Sequence, residues 1–192
     1  MKAKFNVIDF REVDRNDDYD VKYMSNWSRP YEYDYVMRFL KDHNTKDMLV
    51  HNTACGGHNF VHNVFMNELS KFCNCIHSDI AVLKTMNMKY YDITRSSIDY
   101  KNYFDFVLNI STLEHLAKDK WVGAFNNLLD QIKINGYLII TFDIPLINLK
   151  EMEDYIESKC TRAAVPLYGK NSVAPDLRKG RQHGIVELII QK

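Results

Sequence analysis

The sequence predicts an α/β fold built on a mainly parallel, doubly wound sheet. Apolar strand-like stretches alternate with helical stripes along the chain, the pattern of a parallel sheet covered by helices on both faces. Phe104 to Ile110 is a compact apolar run of the kind expected when both faces of a strand are buried. The stretches MLVHNTACGG (48–57), YFDFVLNISTLEHL (103–116) and IKINGYLIITF (132–142) each run from an apolar core into polar or small residues. Open α/β sheets place their ligands at such strand ends.

Residues 1–28 are read as an irregular polar lead-in. Tyr35, Val36, Phe39 and Leu40 recur at helical spacing, so an amphipathic helix is expected from Tyr31 to about His43, with Pro30 near its first turn. Met48 to His51 reads as the first strand, followed by a glycine loop and a helix through Phe60, Val61, Val64, Phe65 and Leu69. Cys73 to Ser78 is the second strand, ending at Asp79, and Met88 to Tyr91 the third, ending at Asp92. Phe104 to Ile110 is the fourth, and the stripe from Leu113 through Trp121, Phe125 and Leu129 to Ile132 is helical. Asn135-Gly136 supplies a turn into a fifth strand, Tyr137 to Phe142, which Pro145 stops. A helix follows over Leu149 to Lys159, then a weak strand near Ala163 to Leu167, a loop rich in Gly, Pro and Arg, and a final strand, Ile185 to Ile190.

A chain of 192 residues with 46% hydrophobic content buries one substantial core, so a single domain is expected over 1–192. Within it, 1–45 form an N-terminal cap segment and helix, and 46–192 form the sheet core. Twenty-five basic residues balance twenty-five acidic ones, which argues for a small-molecule ligand over a nucleic acid. No apolar run is long enough for a signal peptide or membrane span. Four cysteines, two of them in Cys73-Asn74-Cys75, make no disulfide framework, so the reducing cytoplasm is the expected compartment. His58 and His62 are four apart on a predicted helix, and Cys73, Cys75 and His77 share one face of the next strand. The two groups fall at opposite ends of that strand, so no metal site is expected. The oligomeric state is left open.

Several of these residues carry chemistry. In Asn52-Thr53-Ala54-Cys55-Gly56-Gly57-His58, the glycine pair lets the backbone take left-handed conformations and lets a ligand approach closely. The helix start just beyond offers free N–H groups suited to an anion. Asp79 closes the second strand, where an acid can receive ribose hydroxyls or cap the following segment. His115, in Glu114-His115, is a side chain suited to taking a proton near neutral pH, and it serves equally well as a hydrogen-bonded structural group.

Together the three phrases resemble the class I S-adenosylmethionine-dependent methyltransferases. That family has a loop of pattern D/E-x-G-x-G-x-G, a later phrase FDxVxxxxxLEH, and a turn like LKPGG leading into LLLT. Here the matching stretches are Asn52 to His58, Phe104 to His115, and Ile132 to Thr141. Asn52 stands in place of the acid, Ala54 of the first glycine and His58 of the third. The resemblance implies a seven-stranded Rossmann-like methyltransferase sheet whose last strand is antiparallel. It also implies S-adenosylmethionine as cofactor and a small polar acceptor such as a sugar or other metabolite. Asn52, Ala54, Cys55, Gly56 and Gly57 would meet the methionine part of the cofactor. Asp79 and Ile80 would meet the ribose, Asp92 and the Ile93 N–H the adenine, and Asn109 and Ser111 would form the floor under the sulfonium. His115 would be the general base. Trp27 to Tyr33 is similar to a segment preceding the first strand in some bacterial sugar and small-molecule methyltransferases, which implies acceptor contacts for Arg29, Glu32 and Tyr33; a helix start packed on the sheet is the other reading. Arg178 to His183 reads as a phosphate-seeking or simply solvated basic loop. The alternative for the whole chain is a partner subunit that keeps the fold with an eroded loop.

Overall fold

The computed structural model describes residues 1–9, 29–43, 45–56, 60–82, 87–144, 149–162 and 184–192. In chain order the elements are β1 (Lys2–Asp9), α1 (Arg29–Asp42), β2 (Leu49–Thr53), α2 (Phe60–Phe72), β3 (Asn74–Asp79), β4 (Lys89–Tyr90) and β5 (Phe104–Ile110). They continue with α3 (Lys118–Gln131), β6 (Ile132–Ile144), α4 (Leu149–Lys159), β7 (Thr161–Arg162) and β8 (Gly184–Gln191).

The strands form one sheet in the order β4-β3-β2-β5-β6-β8-β1-β7. From β4 to β6 all pairings are parallel, and β8 runs antiparallel to both β6 and β1. The doubly wound, mainly parallel class follows from how the central strands distribute their side chains. On β6, Leu138, Ile140 and Phe142 join a core with Trp121, Phe125 and Leu128 of α3 and Met152 and Ile156 of α4. Ile139 and, from β5, Phe106 and Leu108 join a second core with Val36 and Leu40 of α1 and Phe65 and Leu69 of α2. An unbroken apolar run is what the period-2 alternation of a strand produces when both faces are covered. Fully buried side chains such as Phe125, Leu128, Leu40 and Leu108 each contribute about 1.5–3 kcal/mol relative to an exposed position.

Several elements differ from expectation: the helix expected from Leu113 to Ile132 begins only at Lys118, after a short turn over Leu113–His115, and Ile132 already belongs to β6. Lys2–Asp9, read as irregular, is a full strand inserted between β8 and β7, with eight register pairs from Lys2↔Gln191 to Asp9↔Gly184. The sheet therefore has eight strands among the described residues where seven were expected. Asn135-Gly136, read as a turn into a strand, lies inside β6 as a bulge: the register passes from Phe104↔Ile132 to Phe106↔Tyr137. Asn135 takes the left-handed φ of 67° there. Lys192 closes the bulge, its N–H donating to Gly136 O and its carbonyl accepting from Asn135 N, both at 3.1 Å. The weak strand expected near Ala163 to Leu167 and the basic loop Arg178 to His183 lie outside the described residues.

One buried polar chain crosses the core. The His51 ring on β2 joins Gln131 Oε1 at 2.6 Å through Nδ1 and Ser78 Oγ at 2.8 Å through Nε2. Gln131 Nε2 in turn donates to the Tyr91 hydroxyl at 3.0 Å. Burial pushes His51 down to about 4, so the ring is neutral and each nitrogen has its own fixed role. No helix among the described residues is long and apolar enough to cross a membrane.

Candidate functional site

Parallel strands end together, and at the C-terminal ends of β2, β3 and β5 they leave a cleft of about 340 Å³. Its wall begins where β2 runs out of apolar residues. Ala54 has φ 49° and Gly56 φ 66°, so the loop makes the left-handed turn that glycine favours, at Ala54 without a glycine. For a residue with a Cβ this costs about 1–2 kcal/mol. Two neighbours hold the loop: Cys55 N–H donates to Ser78 O at 3.1 Å, and Gly56 N–H donates to Asp79 Oδ2 at 2.8 Å. Asp79 is 8% exposed and also accepts from Ala81 N–H at 2.9 Å, which places its carboxylate in the cleft wall between loop and strand end.

Asn52 lines the same wall, with its Nδ2 3.2 Å from His77 Nδ1. Opposite lie Ile110, Ser111 and Thr112 at the end of β5. Ser111 also has a left-handed φ, 44°, so strained non-glycine backbone borders the cleft on both sides.

Helix α1 supplies the remaining wall. Glu32 has no exposed surface; its Oε1 accepts from Ser111 Oγ at 2.5 Å and Thr141 Oγ1 at 2.6 Å, and its Oε2 pairs with Arg29. The carboxylate expected to grip an acceptor thus ties α1 to the ends of β5 and β6, behind the cleft surface. Arg29 and Tyr33 do line the cleft. Burial alone would lower the Arg29 guanidinium, but the adjacent Glu32 carboxylate raises it. The Tyr33 ring stacks on Phe65 at 3.9 Å between centroids, and its hydroxyl lies 2.5 Å from His62 Nδ1.

His115 is exposed and faces the cleft from the short turn Leu113–His115. Its neighbour Glu114 points the other way, into the core, where Oε1 accepts from Asp143 N–H at 3.0 Å. Burial pushes Glu114 up to about 8, and the Asp143 and Glu32 carboxylates add to the rise.

Of the residues expected at a ligand, Arg29, Tyr33, Asn52, Ala54, Cys55, Gly56, Asp79, Ile80, Ser111 and His115 come together on this lining. Gly57 and His58 lie outside the described residues. Asp92, Ile93 and Asn109 are not on the lining. Asp92 accepts from Thr94 N and Oγ1 at 3.0 and 2.7 Å, and these hydrogen bonds hold its carboxyl below the usual range. Ile93 belongs to the core on the α3 side. Asn109 is buried beneath the floor, donating to Thr53 Oγ1 at 3.0 Å. His62 and Phe65 were not foreseen at the site; three apart on α2, they share the face turned to the cleft. Among the described residues no group of three or more His, Cys, Asp or Glu side chains is arranged to hold a metal ion.

Solved structures share this architecture. A methyltransferase described as S-adenosylmethionine-dependent, from Archaeoglobus fulgidus, superposes with TM-score 0.54 over 83% of this chain and 94% of its own, at 14% identity. The 1,6-didemethyltoxoflavin N1-methyltransferase of Burkholderia thailandensis, solved with bound 1,6-didemethyltoxoflavin and S-adenosylhomocysteine, gives 0.55 over 84% and 78%, at 11% identity. The chain has the class I methyltransferase fold. A TehB-like S-adenosylmethionine-dependent methyltransferase from Corynebacterium glutamicum agrees, with TM-score 0.55 over 84% of this chain and 98% of its own, at 12% identity. In sequence the chain matches no protein-family model and no curated protein. Within the methyltransferase fold, β8 is the antiparallel strand expected near the end of the chain, and β1 is an additional strand beside it.

Proposed function

We propose that the chain is an S-adenosylmethionine-dependent methyltransferase acting on a small polar acceptor such as a sugar or another metabolite. The observation that carries this reading is the left-handed loop Ala54–Gly56 held by the Asp79 carboxylate at the ends of parallel strands. A cleft of about 340 Å³ falls within the roughly 300–1,000 Å³ range of small-molecule sites. Asn52, Ala54, Cys55 and Gly56 would hold the amino-acid end of the cofactor. Asp79 and Ile80 would hold the ribose side, and Ser111 the floor. Asp92, Ile93 and Asn109, which are not on the lining, are assigned supporting positions.

Bound there, the cofactor supplies an electrophilic methyl group, so the protein's work is alignment and exclusion of water. Arg29 and Tyr33, on the cleft lining, would orient the acceptor, and Glu32 fixes the helix that presents them. As the new bond to an acceptor hydroxyl forms, its proton needs a base, and His115 on the cleft lining takes that role.

Calorimetric titration with S-adenosylhomocysteine tests the reading. Saturable binding is expected, weakened in Asp79→Ala by about 1.5–3 kcal/mol with the fold intact by circular dichroism. No binding by the wild-type chain at millimolar ligand overturns it. Binding without methylation of any sugar, phenol or amine in a broad panel moves the assignment to a cofactor-binding partner subunit.

A further inference from the structure

We propose that His77 is a positioning residue that fixes which end of the Asn52 side-chain amide is given to the cleft. The inference rests on the reading that this cleft takes the cofactor. An asparagine amide has a donor end and an acceptor end of nearly equal size, and only the acceptor suits a ligand ammonium group. Without a fixed neighbour the two orientations compete, so replacing the family's acid by Asn52 puts the polarity of the site in question.

His77 decides it. On adjacent strands, Asn52 and His77 are register partners, and their side chains meet at 3.2 Å, Nδ2 to Nδ1. The other ring nitrogen, Nε2, is 2.8 Å from Ser70 Oγ on α2. An amide N–H₂ can only donate, so the Nδ1 that faces it accepts, and the ring proton lies on Nε2, toward the Ser70 hydroxyl oxygen. Burial pushes His77 down to about 4, so at neutral pH the ring holds a single proton. Nδ1 then has only a lone pair to offer and must accept, from the amide N–H of Asn52 and more weakly from the Cys75 thiol at 3.7 Å. The opposite end, Oδ1, is what Asn52 presents to the cleft it lines. A neutral residue thereby keeps the hydrogen-bonding sense of a carboxylate.

The test compares S-adenosylhomocysteine with its des-amino analogue, which lacks the ammonium group. In the wild type, S-adenosylhomocysteine is expected to bind more tightly. In His77→Phe the amide loses its acceptor, and the preference should shrink on the order of tenfold, the value of one such hydrogen bond. Binding of the des-amino analogue should stay unchanged. Asn52→Asp combined with His77→Phe should regain the preference, because a carboxylate presents an acceptor in either orientation. Equal weakening of both ligands, or no change in the ratio, overturns the positioning role while leaving cofactor binding standing. A wild type that binds neither ligand instead overturns the cofactor reading. Should His77→Phe fail to fold, the ¹⁵N spectrum of the wild-type histidines decides: a proton on Nε2 of His77 upholds the proposal, and a proton on Nδ1 overturns it.

Discussion

Glu114→Gln should stabilise the protein, and by an amount that depends on pH in a predictable way. Glu114 is 8% exposed, and while Oε1 accepts from Asp143 N–H, its buried Oε2 has no hydrogen-bond partner among the described residues. Burial pushes the carboxyl from an ordinary 4.5 up to about 8. Between these values the folded protein holds a proton that the unfolded chain has released. Stability therefore falls as pH rises from 4.5 to 8, and is fully present only below 4.5. From pH 4.5 to 7 is a span of about 2.5 pH units, worth on the order of 3 kcal/mol at about 1.4 kcal/mol per unit. Glutamine has no proton to lose, keeps the acceptor for Asp143 N–H, and turns an N–H donor toward the neighbouring carboxylates. Urea unfolding from pH 4.5 to 8.5 should show variant and wild type converging near pH 4.5 and separating by about 3 kcal/mol at pH 7. The acid limb should be common to both. His51 and His77 are pushed from 6.5 to about 4, so below pH 6.5 the unfolded chain takes up protons that the folded one refuses, and stability falls toward pH 4. A stability difference independent of pH, or a variant weaker than wild type at pH 8, would refute the protonated buried carboxyl.

Three further substitutions have definite expected outcomes. His115→Ala should lower turnover by about 10²–10⁴ while leaving S-adenosylmethionine affinity within a few-fold; full turnover in the variant removes the general-base role. Ala54→Gly relieves a left-handed φ of 49° and should raise stability by about 0.5–1 kcal/mol after the extra backbone entropy of glycine, read as a higher unfolding midpoint; a lower midpoint would show that the loop is not strained there. Gly136→Ala places a methyl 2.6 Å from Ile132 Cγ2 and 2.7 Å from the Asp105 carbonyl, so it should cost about 1–3 kcal/mol; thermal melts matching the wild type would mean the bulge gives way freely.

Where local pattern and tertiary packing agree, the sequence was legible. The strand Phe104–Ile110 and the helix Leu149–Lys159 have the expected bounds, the first because an apolar run has only a two-sided core to occupy, the second because its stripe recurs every turn. β1 escaped because its partner is at the other end of the chain. Ala3, Phe5 and Val7 do alternate with Lys2, Lys4 and Asn6 in period 2, a signal that scattered charge obscured. At Asn135-Gly136 the same residue chemistry serves a turn and a bulge, and only the pairing with β5 and Lys192 separates them. The cleft shows the same division. Residues at strand ends, such as Asn52 and Asp79, could be placed by topology. Glu32 could not, because the hydroxyls that draw its carboxylate inward, Ser111 and Thr141, lie 79 and 109 positions away.

The loop itself bears on the choice between a working site and an inherited shell. A glycine loop matters for the backbone angles it permits, and this chain keeps the left-handed turn at Ala54, where a side chain makes it costly by about 1–2 kcal/mol. Such strain persists only when the surroundings enforce it, and here the Asp79 carboxylate does so by binding Gly56 N–H. Asn52 carries no charge, but its amide nitrogen lies 3.2 Å from Nδ1 of the buried His77 ring. Ser111 repeats the strain across the cleft, held by the buried Glu32. A subunit retained only for its fold could relax each of these positions, and Ala54 to glycine is a single substitution. That strain on both walls of one cleft is matched by specific buried partners favours a site whose geometry is still in use.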